Sequence, residues 1–177
     1  MLDNSRPSRQ LPTIELAILS DPVLEALVSG SIDRASNAFG RALPPILLED
    51  DWLWNFRLNQ MRSDPSTSQW LVRVIVDAEN GDIVGHAGFH GPPDEVGMVE
   101  VGYTIHPAYR RRGFATAALG GLIAYAADHP EVRTVRASVS PENPGSLATI
   151  APYSFVQVGE QMDEIDGLEL IFERPIR

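Results

Sequence analysis

"YRRRGFATAAL", Tyr109 to Leu119, sets three consecutive arginines before a glycine and then turns at once into small residues. The charges alone fit three readings: a nucleic-acid patch, a solvated charge run, or a cradle for one small anion. Position makes the triplet informative. "MVEVGYTI", Met98 to Ile105, reads as a strand, "HPAYRRRG" as a loop, and "FATAALGGLIAYAADH" as a helix that ends before Pro130. A strand-to-helix turn exposes unpaired N–H groups, which together with the helix dipole attract phosphate. Gly113 lets the backbone approach a ligand without an intervening Cβ. Ala115 is nearly as small, and Thr116, Ala117 and Ala118 would not obstruct an anion. No "GK[ST]" follows, so a P-loop is a poor alternative. The glycine-rich Rossmann fingerprint is also absent.

The rest of the chain argues against the nucleic-acid reading. Fourteen basic against twenty-four acidic residues leave a formal net charge of −10 over 177 residues. General nucleic-acid binding needs a basic face that displaces counterions. With 44% hydrophobic and 21% charged residues the composition is that of a folded globular chain. There is no cysteine, which excludes disulfides, thiolate metal sites and a cysteine nucleophile. "MLDNSRPSRQLP" lacks a signal-peptide core, and no apolar run approaches the ~20 residues of a membrane span. A cytoplasmic protein with no membrane partner is the expectation.

Residues 1–12 read as a loose arm and 13–177 as a single domain. "TIELAIL" is a first strand, and "SDP" caps and opens a short helix from Val23 to about Ser29. Residues 30–45 read as irregular, with one or two helical turns. "LEDDWLWNFRLNQMRS" reads as a helix with Trp52, Phe56 and Asn59 on one side and Leu53, Trp54, Leu58 and Met61 widening the apolar surface. "WLVRVIVD" and "DIVGHAGFH" are strands joined by the hairpin signal Asn80-Gly81. "VRTVRASVS" is a strand. Asn143 caps a short helix opened by Pro144, and Pro152 stops it. "FVQVGEQM" and "LELIFERP" form a last strand pair. The expected order, β-α-α-β-β-β-α-β-α-β-β, is a mixed α/β sheet containing one parallel pair, too irregular for a doubly wound fold.

"RRRGFA", Arg110 to Ala115, matches the R/Q-x-x-G-x-G/A signature of the GNAT superfamily of N-acetyltransferases. "EVGYTIHPAYR" resembles that superfamily's fourth strand, particularly in the branch similar to ribosomal-protein N-terminal acetyltransferases. "NPGS", Asn143 to Ser146, resembles the N-x-x-S that opens its last helix. The likeness runs from about residue 13 to the end and implies the GNAT-like acyl-CoA N-acyltransferase fold, with acetyl-CoA as donor. It places the pyrophosphate on the backbone N–H groups of Arg111, Arg112, Gly113, Phe114, Ala115 and Thr116, with Arg110 at the rim. It pairs the pantetheine with Tyr103, Thr104 and Ile105, and lays Asn143 and Ser146 along the cofactor's other side. Dimers are common in the superfamily, so a homodimer is compatible with the likeness. The acceptor it implies is a small-molecule or peptide amine.

Acyl transfer to an amine needs a neutral nucleophile, and a lysine-like amine has a reference pKa of about 10.4. Glu100 is the leading base: it interrupts an apolar strand and shares a face with Gly102 and Thr104. The superfamily's usual acid is a tyrosine seven residues after the asparagine. Here Ile150 holds that position. Tyr153, three residues on, is a substitute acid or a core residue, and Ser154 replaces the customary glycine before Phe155. The missing tyrosine keeps a second class open: a non-catalytic acyl-CoA-binding sensor or interaction module. His86 and His90 share a strand face but sit about 13 Å apart, too far to share a metal. His90, Glu95 and Trp54 are the acceptor-site candidates.

Overall fold

The computed structural model describes residues 10–164 and 167–176. Their elements are β1 (Ile14–Ile18), α1 (Asp21–Val28), α2 (Ile32–Phe39), α3 (Asp51–Ser63), β2 (Arg73–Asp77), β3 (Ile83–Phe89), β4 (Met98–Ile105), α4 (Phe114–Ala127), β5 (Thr134–Val139), α5 (Pro144–Ile150), β6 (Val156–Asp163) and β7 (Gly167–Pro175). The seven strands form one sheet in the order β1-β2-β3-β4-β5-β7-β6. All neighbours are antiparallel except β4 and β5, the parallel pair expected from the α4 crossover. The mixed α/β reading therefore holds.

Three helices, not two, precede β2. Helix α2 occupies the stretch read as irregular. Its signals are local: the Ser31 side chain accepts the Arg34 N–H, and Gly40 closes the other end at φ 77°. Only Ala35 along it is buried, so it carries little apolar periodicity to read. Residues 1–9 of the expected arm lie outside the described residues. Of the remainder, Leu11 and Pro12 approach the glycine of the arginine loop.

The apolar face of α3 also differs from the one read in the sequence. Trp52 and Phe56 are 66% and 53% exposed, while Trp54, Arg57, Leu58 and Met61 are buried. These positions follow the i, i+3, i+4, i+7 spacing of a helix face. Arg57 disguised the pattern. It is tolerated inside because its guanidinium donates to Gln60 Oε1 at 2.7 Å and to the His90 carbonyl at 2.8 Å. Burial lowers its pKa to about 10, so it stays charged at neutral pH.

Two cores sandwich the sheet. One gathers Leu19, Leu24, Leu27, Leu47, Trp54 and Val74 beneath α1 and α3. The other packs Phe89, Val99, Val101, Ile105, Phe114, Leu119 and Leu122 beneath α4 and α5. β4 serves both the core and the site. Val99, Val101 and Ile105 are buried, and the intervening Glu100 is half-buried.

Candidate active site

β4 and β5 pair only through Met98–Thr134, Val99–Val135 and Glu100–Arg136. Beyond Glu100 the two strands part. β3 stays in register with β4 from Val101 to Ile105, so the free edge of β4 faces the gap toward β5. Two cavities occupy this region. One, of about 740 Å³, is lined by Tyr103, Thr104, Ile105, Arg110, Arg111, Gly113, Phe114, Ala115, Thr116, Asn143 and Ser146, among others. A second, of about 700 Å³, is lined by His90, Glu100, Gly102, Ser138, Gln161, Asp163 and Glu169, among others. Tyr103, Asn143 and Ser146 line both. Eleven of the twelve residues expected at a donor are thus gathered around the first cavity.

Arg112 is the exception. Its side chain turns to the other side of the loop, beside Pro12, Asp77 and Glu79. Its guanidinium lies 5.5 Å from the Tyr109 ring centroid and 5.2 Å from that of Phe114. Tyr109 in turn donates to Asp82 at 3.0 Å. Arg110 Nε donates to the Ile105 carbonyl at 3.0 Å, tying the loop to the end of β4. The three arginines therefore differ in role: one staples the loop, one packs on aromatic rings, and Arg111 occupies the left-handed region at φ 59°. Non-glycine residues are rarely held there. Gly113, at φ 92°, follows as the N-cap of α4.

The first bond closing α4 runs from the Ala117 N–H to the Gly113 carbonyl at 2.9 Å. The amides of Phe114, Ala115 and Thr116 consequently have no intrahelical acceptor and emerge at the helix N-terminus. A Cβ at position 113 would meet Pro12 Cδ at 3.1 Å and Leu11 Cδ2 at 3.3 Å. Across the gap, Asn143 Oδ1 accepts the Ser146 N–H at 3.0 Å, so Asn143 caps α5.

At the second cavity, Ser138 Oγ donates to Glu100 Oε1 at 2.6 Å. Glu100 Oε2 lies 3.9 Å from His90 Nδ1. The His90 carbonyl accepts from Arg57 and from Gln60 at 3.0 Å, so α3 holds this end of β3. Gly102 leaves room for the imidazole, since a Cβ there would meet His90 Nε2 at 2.9 Å. Burial lowers the His90 pKa; Glu100 and Glu169 oppose the shift and Arg57 adds to it. No arginine is among the residues lining this cavity.

Three expected site residues are placed elsewhere. Trp54 is fully buried. Its indole N–H donates to the Leu47 carbonyl, and its ring meets His86 edge-on at 5.0 Å. It is core and cannot wall an open acceptor cleft. Glu95 is exposed and is not among the lining residues. Tyr153 donates its hydroxyl to the Thr116 carbonyl at 2.7 Å, pinning the end of α5 to α4. Ser138 and Glu169 were missed by sequence reasoning. They are contributed by strands whose pairing, not whose motif, brings them to the cavity that Glu100 lines.

Among the described residues no group of histidines and carboxylates could hold a metal ion, and no helix is long and apolar enough to cross a membrane. A comparison with curated proteins finds the uncharacterized N-acetyltransferase YjdG of Bacillus subtilis, 36% identical over 83 residues, which cover 47% of this chain. The matched stretch spans about half, 49%, of that relative's length. The fold is similar to that of a GNAT-family acetyltransferase from Bacillus anthracis, with a TM-score of 0.63 at 17% identity over 94% of this chain and 97% of the other. It is also similar to a ribosomal-protein-S5-alanine acetyltransferase from Vibrio fischeri, with a TM-score of 0.62 at 18% identity over 92% and 91% of the two chains. The family model described as an acetyltransferase (GNAT) domain matches residues 13–153. With the parted strands and the glycine-capped loop, that match places the chain in the GNAT acetyltransferase family.

Proposed function

We propose that the protein transfers an acetyl group from acetyl-CoA to a primary amine by direct attack in a ternary complex. One observation carries the reading: a donor-sized cavity and a carboxylate-lined cavity meet at Tyr103, Asn143 and Ser146, with Glu100 where the strands part. The residues present suit the donor. The free edge of Tyr103–Ile105 offers backbone groups to the pantetheine amides. The N–H groups of Arg111 to Thr116 suit the pyrophosphate, with Arg110 and Arg111 adding charge. When bound, acetyl-CoA supplies an acetyl thioester open to nucleophilic attack.

The acceptor arrives as an ammonium ion. At pH 7 a group of pKa about 10.4 is neutral in roughly one molecule in 2,500, equivalent to about 4.6 kcal/mol. Glu100, Glu169 and Asp163 line the cavity it would enter, which suits a cation. Glu100 then takes a proton from the nitrogen, held in place by Ser138. The His90 imidazole, with its residue's carbonyl anchored on α3, adds a hydrogen-bonding wall.

A CoA-release assay with acetyl-CoA across α-amines, aliphatic polyamines, amino acids and aminoglycosides tests the reading. Release of thiol with at least one class, abolished in Glu100→Gln while CoA still binds, supports transfer. Tight CoA binding with no release in any class would instead favour a non-catalytic acyl-CoA-binding sensor or interaction module.

A further inference from the structure

The departing sulfur carries a negative charge as the amine attacks, and neither the family's acid position, 150, nor the nearby Tyr153 meets it. Ile150 is apolar and 3% exposed. Tyr153 commits its hydroxyl to the Thr116 carbonyl. The phenol that lines the cleft belongs to Tyr103. Its hydroxyl is buried and meets no hydrogen-bond partner among the described residues. Leaving a buried hydroxyl unsatisfied costs about 1–3 kcal/mol, which a site recovers when a ligand completes the bond. Tyr103 lines both cavities, at the point where they join.

Its relation to Glu100 follows from strand geometry. Residues three apart on a strand project from opposite faces. Glu100 turns to Ser138 and His90. Tyr103 turns to Ser146 and Thr149 on α5, the turn that ends in Ile150. Burial raises the Tyr103 pKa, and the two neighbouring hydroxyls oppose that shift without satisfying the phenol. The phenol is therefore protonated across the neutral range.

We propose that Tyr103 Oη, supplied by strand β4 in place of a tyrosine on α5, is the proton donor to the leaving sulfur. The assignment rests on the transfer reading above. The amine N–H bond breaks as Glu100 takes the proton, the C–N bond forms, and the C–S bond breaks. The Tyr103 O–H bond breaks as the S–H bond forms. Solvent reprotonates the phenolate and receives the Glu100 proton, so thioester and neutral amine give amide and thiol with no net proton change; the proton that the ammonium ion sheds to become that amine goes to solvent as well, one released per turnover.

Tyr103→Phe keeps the ring and removes only the hydroxyl. CoA affinity is measured by calorimetry, and the pKa of the bound CoA thiol by thiolate absorbance. Kd is expected to stay within about threefold. The bound thiol pKa is expected to rise by about one unit, because a donor to the thiolate has been lost. kcat is expected to fall about 10- to 100-fold at unchanged KM for acetyl-CoA, toward the low end for acid catalysis because a thiolate leaves readily. An unchanged thiol titration and kcat, in a wild type that does transfer, overturns the Tyr103 assignment alone. A tenfold loss of CoA affinity at unchanged kcat overturns it too, making the hydroxyl an anchor for the pantetheine. A wild type that binds the thiol but acetylates no amine takes down the transfer reading itself.

Discussion

Ser138 Oγ donates to Glu100 Oε1 at 2.6 Å, linking the last paired residue of β4 to a β5 residue two beyond its register partner Arg136. The bond leaves Oε2 turned toward His90 and the second cavity. A carboxylate held this way keeps one oxygen for a proton arriving from the cleft.

Glu100→Gln preserves shape and the Ser138 contact but removes the basic oxygen. It is expected to lower kcat by about 100-fold or more, within the range of general-base catalysis. CoA affinity by calorimetry should stay within threefold. Ser138→Ala should lower kcat by a smaller factor, also without loss of CoA affinity. Loss of CoA binding in either variant would place Glu100 in the donor site.

Gly113→Val should damage CoA binding more than Arg111→Ala does. Valine at φ 92° is strained, at a cost of about 1–3 kcal/mol, and its Cβ would crowd Leu11 and Pro12. The backbone N–H array would be displaced with it. Arg111→Ala removes a side chain and leaves the array standing. Calorimetric Kd values for the two variants decide the matter, and a larger effect of the arginine change would reverse the ranking.

Trp54→Ala should destabilise the fold by about 3–5 kcal/mol, as expected for emptying a fully buried aromatic site. Phe56→Ala, at a half-exposed position on the same helix, should cost under about 1 kcal/mol. Denaturant midpoints compare the two. Equal effects would contradict the observed face of α3.

His106 is buried, and burial lowers its pKa from 6.5, with His86 and Arg110 adding to the shift and Asp50 opposing it. The unfolded chain therefore binds a proton at a higher pH than the folded one. The resulting stability is complete above the unfolded pKa and is lost as pH falls below it toward the folded value. Tm should fall as pH is lowered from about 7 to 5, and should fall less steeply in His106→Gln. Equal slopes would show that other groups carry the effect.

The fold was legible wherever local chemistry and periodicity agreed. Asn143 and Pro144 marked the start of α5, and the alternation in "MVEVGYTI" gave β4 its exact extent and its faces. The loop proposed to take the donor was legible as a continuous element for the same reason: its small residues and glycine sit in one stretch between β4 and α4. The acceptor side was not. Ser138, Gln161 and Glu169 come from three strands, and their meeting depends on registers that no short motif encodes. Arg57 hid the buried face of α3 because its burial depends on the His90 carbonyl, 33 residues away. Trp54 was drawn into the candidate site by analogy with the superfamily's early helices, although an indole with a backbone acceptor nearby packs readily in a core.

The early parting of β4 and β5 bears on mechanics as well as binding. The sheet is two blocks, β1 to β4 and β5-β7-β6, joined edge to edge by three residue pairs. Anything lodged in the gap acts as a rivet between them. The amides beyond Glu100 on β4 are where amide exchange would report that stiffening.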